Sequence, residues 1–245
     1  MATYCLEIAA FTLSGALTAQ EAGAHRIELC ENPHEGGTTP SYGVLAEAIR
    51  CINIPVFPII RPRGGNFVYS NEEFRAMKKD IECCRDLGFA GVVSGILLSD
   101  GRVDKERTAE LISMAGSMSF TFHLAFDRSR DPFEALEDII ELGCDRILSS
   151  GQCPNVMNGL NVLSQLLEQA AQRIIIMPGS GLRSVNVQEI ARRTGAREFH
   201  TAARSAVHPN EVYSPPSMQE RLSYIDVDAQ EVQAIGKELN LFFTP

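Results

Sequence analysis

The chain has 245 residues and a formal net charge of -9 at pH 7; 44 % of its residues are hydrophobic and 22 % are charged. This is an ordinary globular composition, sufficient for one large α/β domain or two small ones. The acidic balance argues against nucleic acid and against an anionic membrane as partners of the whole surface. Any anion site must therefore be a local cluster of cations.

No apolar run reaches the roughly 18 residues of a membrane-spanning helix, and the N-terminus lacks the basic and apolar regions of a signal peptide. The seven cysteines are scattered and form no CxxC pair. This is typical of a reduced set of thiols rather than a disulfide framework. We therefore predict a cytoplasmic protein with neither a membrane nor a nucleic acid as partner.

Apolar runs bounded by glycine, proline and acidic residues predict eight strands that alternate with helices. The strands are predicted at 4–9, 26–30, 55–60, 90–94, 119–123, 146–149, 173–177 and 198–201. The helices are predicted at 12–22, 41–51, 71–88, 104–115, 131–143, 159–171, 184–194 and 228–239, with Asp226 as an alternative start for the last. Asn71 is predicted to cap the third helix, and residues 207–218, which include three prolines, are predicted to form a loop.

Eight strand–helix units in a chain of this length predict a single (β/α)8 TIM-type barrel over residues 1–245. A recurring plan supports this prediction, because a glycine that ends a helix precedes every second strand, at Gly23, Gly88, Gly143 and Gly195. The alternative is an open doubly wound sheet, but no GxGxxG fingerprint follows the first strand.

Polar residues at the strand ends are the candidates for function, because the active site of such a barrel lies at the C-terminal ends of its strands. Side-chain alternation turns Glu7 and Glu28 inward on the first two strands and His200 inward on the eighth. His123 ends the fifth strand, and Asp127 follows it shortly after. We predict these five as catalytic residues.

Two carboxylates at one barrel mouth have three possible roles. They can exchange a proton as acid and base. They can bind a divalent metal together with His123 or His200. They can also form salt bridges to Arg61 or Arg146, which would make them structural. The residues alone leave these alternatives open.

A rigid cationic loop follows the third strand, where Arg61-Pro62-Arg63 precedes Gly64 and Gly65. Pro62 fixes φ, and the glycines let the backbone approach a ligand closely. Two guanidinium groups suit a carboxylate or a phosphate, because each presents a planar fork of donors. The alternative is a structural arginine pair that holds loops through their backbone carbonyls.

The late loops predict an anion site, because the loops after strands seven and eight commonly bind phosphate in such barrels. The residues predicted to contribute are Ser150 and Gly151 after the sixth strand, Gly179, Ser180 and Gly181 after the seventh, and Arg204 after the eighth.

Cys30 is the cysteine best placed for function, since alternation turns it inward near the mouth of the barrel. The alternative, which we favour, is a small buried hydrophobe. The sequence shows no preformed thiolate site for Cu(I) or Zn(II).

These strand-end motifs resemble the CutC family, the copper homeostasis proteins. The matching segments, with x for a position outside the match, are GAxRIELC at 23–30, EGGxTPS at 35–41, IRPRGG at 60–65, TFHxAFD at 121–127, RILxSG at 146–151, MPG at 177–179 and EFH at 198–200. They run in order from about residue 5 to 205. The resemblance implies a single (β/α)8 barrel, a cytoplasmic homodimer or larger oligomer, and copper binding or tolerance.

Three positions depart from the family pattern. Ala9 stands where the family has a cysteine on the first strand, so a copper site built from cysteines on the first two strands would keep only Cys30. Leu124 replaces an arginine after His123. Ser180 replaces the central glycine of a triplet after the seventh strand.

Three functions follow as hypotheses. The resemblance favours a copper-handling protein that binds Cu(I) through Cys30, with or without methionine or histidine as further ligands. The residue chemistry favours an enzyme acting on a small phosphorylated or carboxylated metabolite at the barrel mouth, with or without a divalent metal. A dimeric scaffold with a decayed site is the third hypothesis, but it leaves the polar strand ends unexplained.

Overall fold

A computed structural model describes residues 4–208, 213, 215, 217 and 223–244. Its strands are β1 (Cys5–Ala10), β2 (Arg26–Leu29), β3 (Val56–Pro58), β4 (Gly91–Ser94), β5 (Ser119–Phe122), β6 (Arg146–Ser149), β7 (Ile175–Pro178), β8 (Glu198–Thr201), β9 (Arg204–Val207) and β10 (Tyr224–Val227). Its α-helices are α1 (Leu13–Glu21), α2 (Tyr42–Cys51), α3 (Asn71–Leu87), α4 (Lys105–Ala115), α5 (Pro132–Glu141), α6 (Leu160–Ala170), α7 (Val187–Thr194) and α8 (Ala229–Phe243).

The first eight strands form a closed parallel barrel. Strands β3, β2, β1 and β8 pair in that order, and strands β4, β5, β6 and β7 do the same. The two halves meet at a parallel bridge between Ile59 and Val93, where the amide of Ile60 donates to the Val93 carbonyl at 2.7 Å. On the other side β7 lies against β8. With a helix after each strand, the fold is the predicted (β/α)8 barrel.

Side-chain alternation sorts the strand residues between two environments. Leu6 and Ile8 of β1, like Ile27 and Leu29 of β2, are fully buried in the main apolar core. Glu7, the residue between Leu6 and Ile8, is equally buried but contacts polar groups inside the barrel. The inward orientation predicted from a period of two is confirmed.

Helices α3 and α8 differ from their predicted boundaries, α3 at its start and α8 at its end. The N-cap of α3 is Ser70, whose hydroxyl accepts from the Glu73 amide while the Glu73 carboxylate accepts from the Ser70 amide, a full capping box. The prediction that Asn71 is the cap was therefore wrong, and Asn71 is the first helical residue. The last helix is capped by Asp228, one of the two predicted starts, and runs past residue 239 to Phe243.

A hairpin formed by β9 and β10 was not predicted. Residues 204–207 and 224–227 pair in antiparallel register. Val207 was predicted as the start of a loop, but it is the last residue of β9. Its partner Tyr224 lies far along the chain, so no local pattern in the sequence indicates the pairing. Residues 209–212, 214, 216 and 218 of the predicted loop lie outside the described residues. Among the helices that the structure describes, none is long and apolar enough to cross a membrane.

Candidate functional site

A cavity of about 630 Å³ opens at the C-terminal ends of the barrel strands. We call it the mouth cavity. Half of the predicted site residues line it, namely Glu28, Arg61, His123, Ser180, Gly181, His200 and Arg204. The lining residues that were not predicted for the site include the aromatic Phe11 and Phe67 and the cationic Arg128 and Arg183. Phe67 had a signal in the sequence, because it follows directly on the glycine loop that enters the mouth.

Glu28, His200 and Glu7 form a chain of polar contacts at the floor of this cavity. The parallel register of β1 and β8 places Glu7 opposite His200. His200 Nδ1 lies 2.7 Å from Glu7 Oε1, and its Nε2 lies 3.8 Å from Glu28 Oε2. His200 and Glu28 line the cavity, whereas Glu7 lies beneath them and is 1 % exposed.

The two carboxyl groups have opposite pKa shifts. Burial raises the pKa of Glu28 to about 7, and the nearby His200 offsets only part of this. Burial also acts to raise the pKa of Glu7, but the charge of Arg26 and the contacts with His200 outweigh it and lower that pKa to about 2. Burial lowers the pKa of His200, but the hydrogen bond to Glu7 and the two carboxylate charges outweigh it, so the net shift is upward. Glu28 therefore exchanges a proton near neutral pH while Glu7 stays ionised.

Paired charges fill the barrel below the floor. Arg26 donates to Glu7 and, at 2.6 Å, to Glu198. Arg146 also reaches Glu198, at 3.2 Å. The guanidinium groups of both arginines lie against the ring of Phe57, at 5.1 and 5.4 Å from its centroid. Glu7 thus forms a buried salt bridge, but its partner is Arg26 and not Arg61 or Arg146, the two partners proposed from the sequence.

The loop after β7 borders the cavity with free donors. Ser180 has a positive φ of 73°, and the amides of Ser180, Gly181 and Leu182 donate to no other described residue. Gly179 lies behind them and its amide donates to the Ser149 carbonyl at 3.0 Å. Across the cavity mouth, Arg204 donates one hydrogen bond to the Pro33 carbonyl at 3.3 Å.

The predicted residues around β6 shape a loop instead of lining the cavity. The Asp127 carboxylate accepts from the Ser149 hydroxyl at 2.6 Å and from the amides of Ser150 and Gln152 at 2.8 and 2.9 Å. Gly151 packs so closely on Gly159 that a Cβ there would lie 2.3 Å from the Gly159 carbonyl oxygen. Asp127 and Gly151 therefore hold the loop after β6.

Comparison with known proteins identifies the chain. The CutC family model matches residues 4–205. The chain belongs to the CutC family. It is 52 % identical to the family protein CutC of Chromobacterium violaceum over 202 residues, 82 % of each chain. It is 44 % identical to the copper homeostasis protein cutC homolog of Mus musculus over 203 residues, 83 % of this chain and 75 % of the mouse protein.

A solved CutC structure agrees with the fold. The CutC protein of Streptococcus agalactiae superposes with a TM-score of 0.78 at 35 % identity, over 81 % of this chain and 98 % of that one. The family match ends at residue 205, so it covers all eight barrel strands but not β10 or α8.

The arginine loop of this CutC-family chain is occupied by backbone contacts. Arg61 donates to the carbonyls of Glu35, Gly37 and Gly65. Arg63 is paired with Glu73 at 2.6 Å and does not line the cavity, since its other donors reach carbonyls of its own loop. These contacts match the structural alternative for the loop, although Arg61 keeps one face on the cavity.

Cys30 of the CutC-family chain is enclosed. Its side chain packs with Phe57, Ile59 and Val93, and it is 1 % exposed. A Cβ on Gly37 would lie 3.3 Å from its sulfur, so the loop above it is closed down on the thiol. Burial and the charge of Glu28 raise the pKa of Cys30 well above its usual value, which disfavours the thiolate.

Proposed function

We propose that this chain is an enzyme that moves a proton on a small anionic metabolite bound in the mouth cavity. The observation that carries the proposal is the buried carboxyl of Glu28 on the cavity floor, with a pKa of about 7. A general acid or base works best when its pKa lies near the working pH. An exposed glutamate titrates far below neutrality and would serve only as a base.

The neighbours of Glu28 suit this role. His200 is held by the ionised Glu7 through Nδ1, so its Nε2 is directed toward Glu28 and the cavity. In this orientation His200 can donate to the substrate or stabilise the carboxylate of Glu28. A paired acid and base with pKa values pushed apart is the arrangement expected of proton-transfer sites.

The far wall of the cavity supplies the anion site of the proposal. The free amides of Ser180, Gly181 and Leu182 and the cationic side chains of Arg183 and Arg204 all border the same space. Backbone amides together with guanidinium groups bind phosphate or carboxylate oxygens. The proposed substrate therefore carries a phosphate or a carboxylate, and its reacting carbon lies toward Glu28.

A ligand screen tests the anion site. We expect phosphorylated metabolites to raise the unfolding midpoint of the native chain, by about 5 °C or more at saturating concentration, because binding to the folded state stabilises it. Arg204→Gln removes a cavity cation that makes a single backbone hydrogen bond, and we expect it to abolish most of this shift. Arg61 is unsuited to the test because its three carbonyl contacts make it structural.

Arg192→Gln is the matched control, since Arg192 is an exposed arginine on α7 that pairs with Glu189. It should keep the full ligand shift. If no phosphorylated or carboxylated compound stabilises the native chain, or if Arg204→Gln and the native chain respond equally, the proposed anion site is wrong.

Copper handling is the second candidate function, and the family supports it, because curated relatives are named copper homeostasis proteins. The described residues do not fit a preformed thiolate site. They contain no group of three His, Cys, Asp or Glu side chains that could hold a metal ion. Cys30 is buried beneath Gly37, and Ala9 stands at the mouth where the resemblance would place a second cysteine.

We expect Cys30→Ser to bind Cu(I) as tightly as the native chain, because a buried, protonated thiol is a poor ligand. The measurement is competition with a colorimetric Cu(I) chelator under reducing conditions. Cys51→Ser is the control, since Cys51 is a half-buried thiol on α2 that donates to the Glu47 carbonyl. A loss of Cu(I) affinity in Cys30→Ser alone, with an unchanged unfolding midpoint, would make copper handling the leading candidate.

The remaining sequence predictions belong to the same proposal. We propose a single domain over residues 1–245, a cytoplasmic location, and a homodimer or larger homo-oligomer, all supported by the family resemblance. Light scattering on the purified chain measures the oligomer size directly.

A further inference from the structure

The ring of His123 has one nitrogen with a partner. His123 follows β5, is 3 % exposed and lines the mouth cavity. Its amide donates to the Ser94 carbonyl at 3.1 Å, and its Nδ1 accepts a hydrogen bond from the amide of Ala125 at 3.1 Å. In a neutral imidazole whose Nδ1 is an acceptor, the ring hydrogen is on Nε2.

That hydrogen has no acceptor. Within the described residues, four buried side-chain polar atoms lack a hydrogen-bond partner: Arg61 Nε, Tyr69 Oη, Thr108 Oγ1 and His123 Nε2. Burial and the charge of Arg61 lower the pKa of His123 to about 3, so the ring is neutral at physiological pH. Buried donors without partners are rare in folded proteins, and in a cavity wall such a donor points to a ligand atom that completes it.

Phe67 packs beside the imidazole of His123. Its ring packs 5.0 Å from the ring of His123 and lies 4.9 Å from the guanidinium of Arg61. Phe67 also borders a second cavity of about 450 Å³ beside the mouth cavity. Phe67 lines both cavities, so open space borders its ring next to His123.

We propose that His123 is a neutral hydrogen-bond donor that binds a carbonyl or carboxylate oxygen of the ligand through Nε2. The inference rests on the proposed function and narrows its substrate class to small carbonyl compounds that carry a phosphate or a carboxylate. Glu28 on β2 and His123 after β5 line the same cavity, so one substrate can contact both. His123 then acts on the oxygen while Glu28 acts on the neighbouring carbon.

The chemistry balances without a co-reactant. The Glu28 carboxylate takes a proton from the carbon next to the carbonyl, and the C–H bonding pair forms a C=C bond. The π pair of the carbonyl moves onto its oxygen, where the Nε2 hydrogen of His123 stabilises the negative charge. Returning a proton from Glu28 to the same carbon restores the carbonyl compound, and exchange of the Glu28 proton with solvent in between replaces the hydrogen on that carbon. His123 keeps its own proton throughout, so it is neither acid nor base in this step.

The test uses 2-phosphoglycolate as probe, because it carries one phosphate and one carboxylate. His123→Asn keeps an oxygen that can accept from the Ala125 amide but removes the donor at Nε2, whereas His123→Gln places an amide donor near that position. We expect calorimetric titration to show binding about 10- to 100-fold weaker in His123→Asn, with much of it recovered in His123→Gln. In the native chain the NMR signal of the Nε2 hydrogen should move downfield when the probe binds.

Equal affinity in the native chain and His123→Asn, or an Nε2 signal unmoved by the bound probe, overturns the inference. Failure of the native chain to bind the probe overturns it as well. The NMR readout decides even where neither variant folds.

Deuterium exchange from solvent into carbonyl metabolites separates this inference from the proposed function. Exchange that requires Glu28 but not His123 leaves the proposed function standing and removes this inference. Probe binding that requires His123, with no deuterium exchange in the native chain or the variants, keeps His123 as a ligand donor and removes the proposed proton-transfer function.

Discussion

Replacing Glu28 with Gln is expected to stabilise the fold at about pH 8 and to remove proton transfer. The pKa of Glu28 is raised from 4.5 to about 7, so the folded chain binds more protons than the unfolded chain between these values. The free energy of unfolding therefore falls as the pH rises through this window, by on the order of 3 kcal/mol. The neutral Gln avoids that loss. Urea unfolding should show the variant more stable by this amount at about pH 8 and nearly equal to the native chain near pH 4.5.

The effect on activity is larger. Removal of a general acid or base costs about 10²- to 10⁴-fold in rate. This rate is measured by NMR, as the incorporation of deuterium from solvent into a metabolite that raises the unfolding midpoint of the native chain. Glu47→Gln removes the same charge from an exposed site on α2 and should change neither the pH profile nor the rate. A Glu28→Gln chain that is less stable than the native one at about pH 8 would contradict the assignment of Glu28 as a buried, readily protonated carboxyl.

The fold and the floor of the site are predictable from local patterns. Each strand carries its own apolar alternation, and each helix carries its own stop, so the barrel follows from the sum of local signals. The same alternation turns Glu7, Glu28 and His200 inward. Once the barrel closes, the register of β1 with β8 brings Glu7 opposite His200. Contacts of this kind depend on the order of the strands and on their register.

The contacts of long side chains with distant loops are not predictable in this way. Arg61 looks like an anion clamp in the sequence, yet its donors are taken by carbonyls of Glu35, Gly37 and Gly65. Where the carbonyls of Glu35 and Gly37 lie depends on the path of a loop that is 24 to 26 residues away in the sequence. Asp127 is a similar case, because its acceptors are filled by the loop after β6.

An unpaired donor has no signature in the sequence either. His123 reads as an acid or base from its position after β5. Only the geometry shows that its Nδ1 is occupied by the Ala125 amide and that its Nε2 is left without a partner. The role inferred for His123 thus depends on which nitrogen is free, and that depends on the turn after the strand.

The largest stability effect should come from Arg26, which joins the site to the ion network beneath it. Arg26 is 5 % exposed and pairs with Glu7 and Glu198. Arg26→Met keeps much of the side-chain volume but leaves Glu7 buried without its cation. Breaking one partner of a buried pair costs about 3–5 kcal/mol, so we expect the midpoint of thermal unfolding to fall by about 10 °C at neutral pH. The Arg50→Met control breaks an exposed pair with Glu47 and should leave the midpoint unchanged.

The loss of stability in Arg26→Met should depend on pH. The pKa of Glu7 is lowered to about 2 in the folded chain, so its contribution to stability is full above the unfolded value of 4.5 and disappears as the pH falls toward 2. The deficit of Arg26→Met should therefore be largest at neutral pH and shrink on acidification. Adding Glu7→Gln should recover part of the loss, because the double variant no longer buries an unpaired carboxylate. A deficit that is the same at neutral and acid pH, and that Glu7→Gln leaves unchanged, would mean that Arg26 stabilises the barrel through packing on Phe57 and not through its charge.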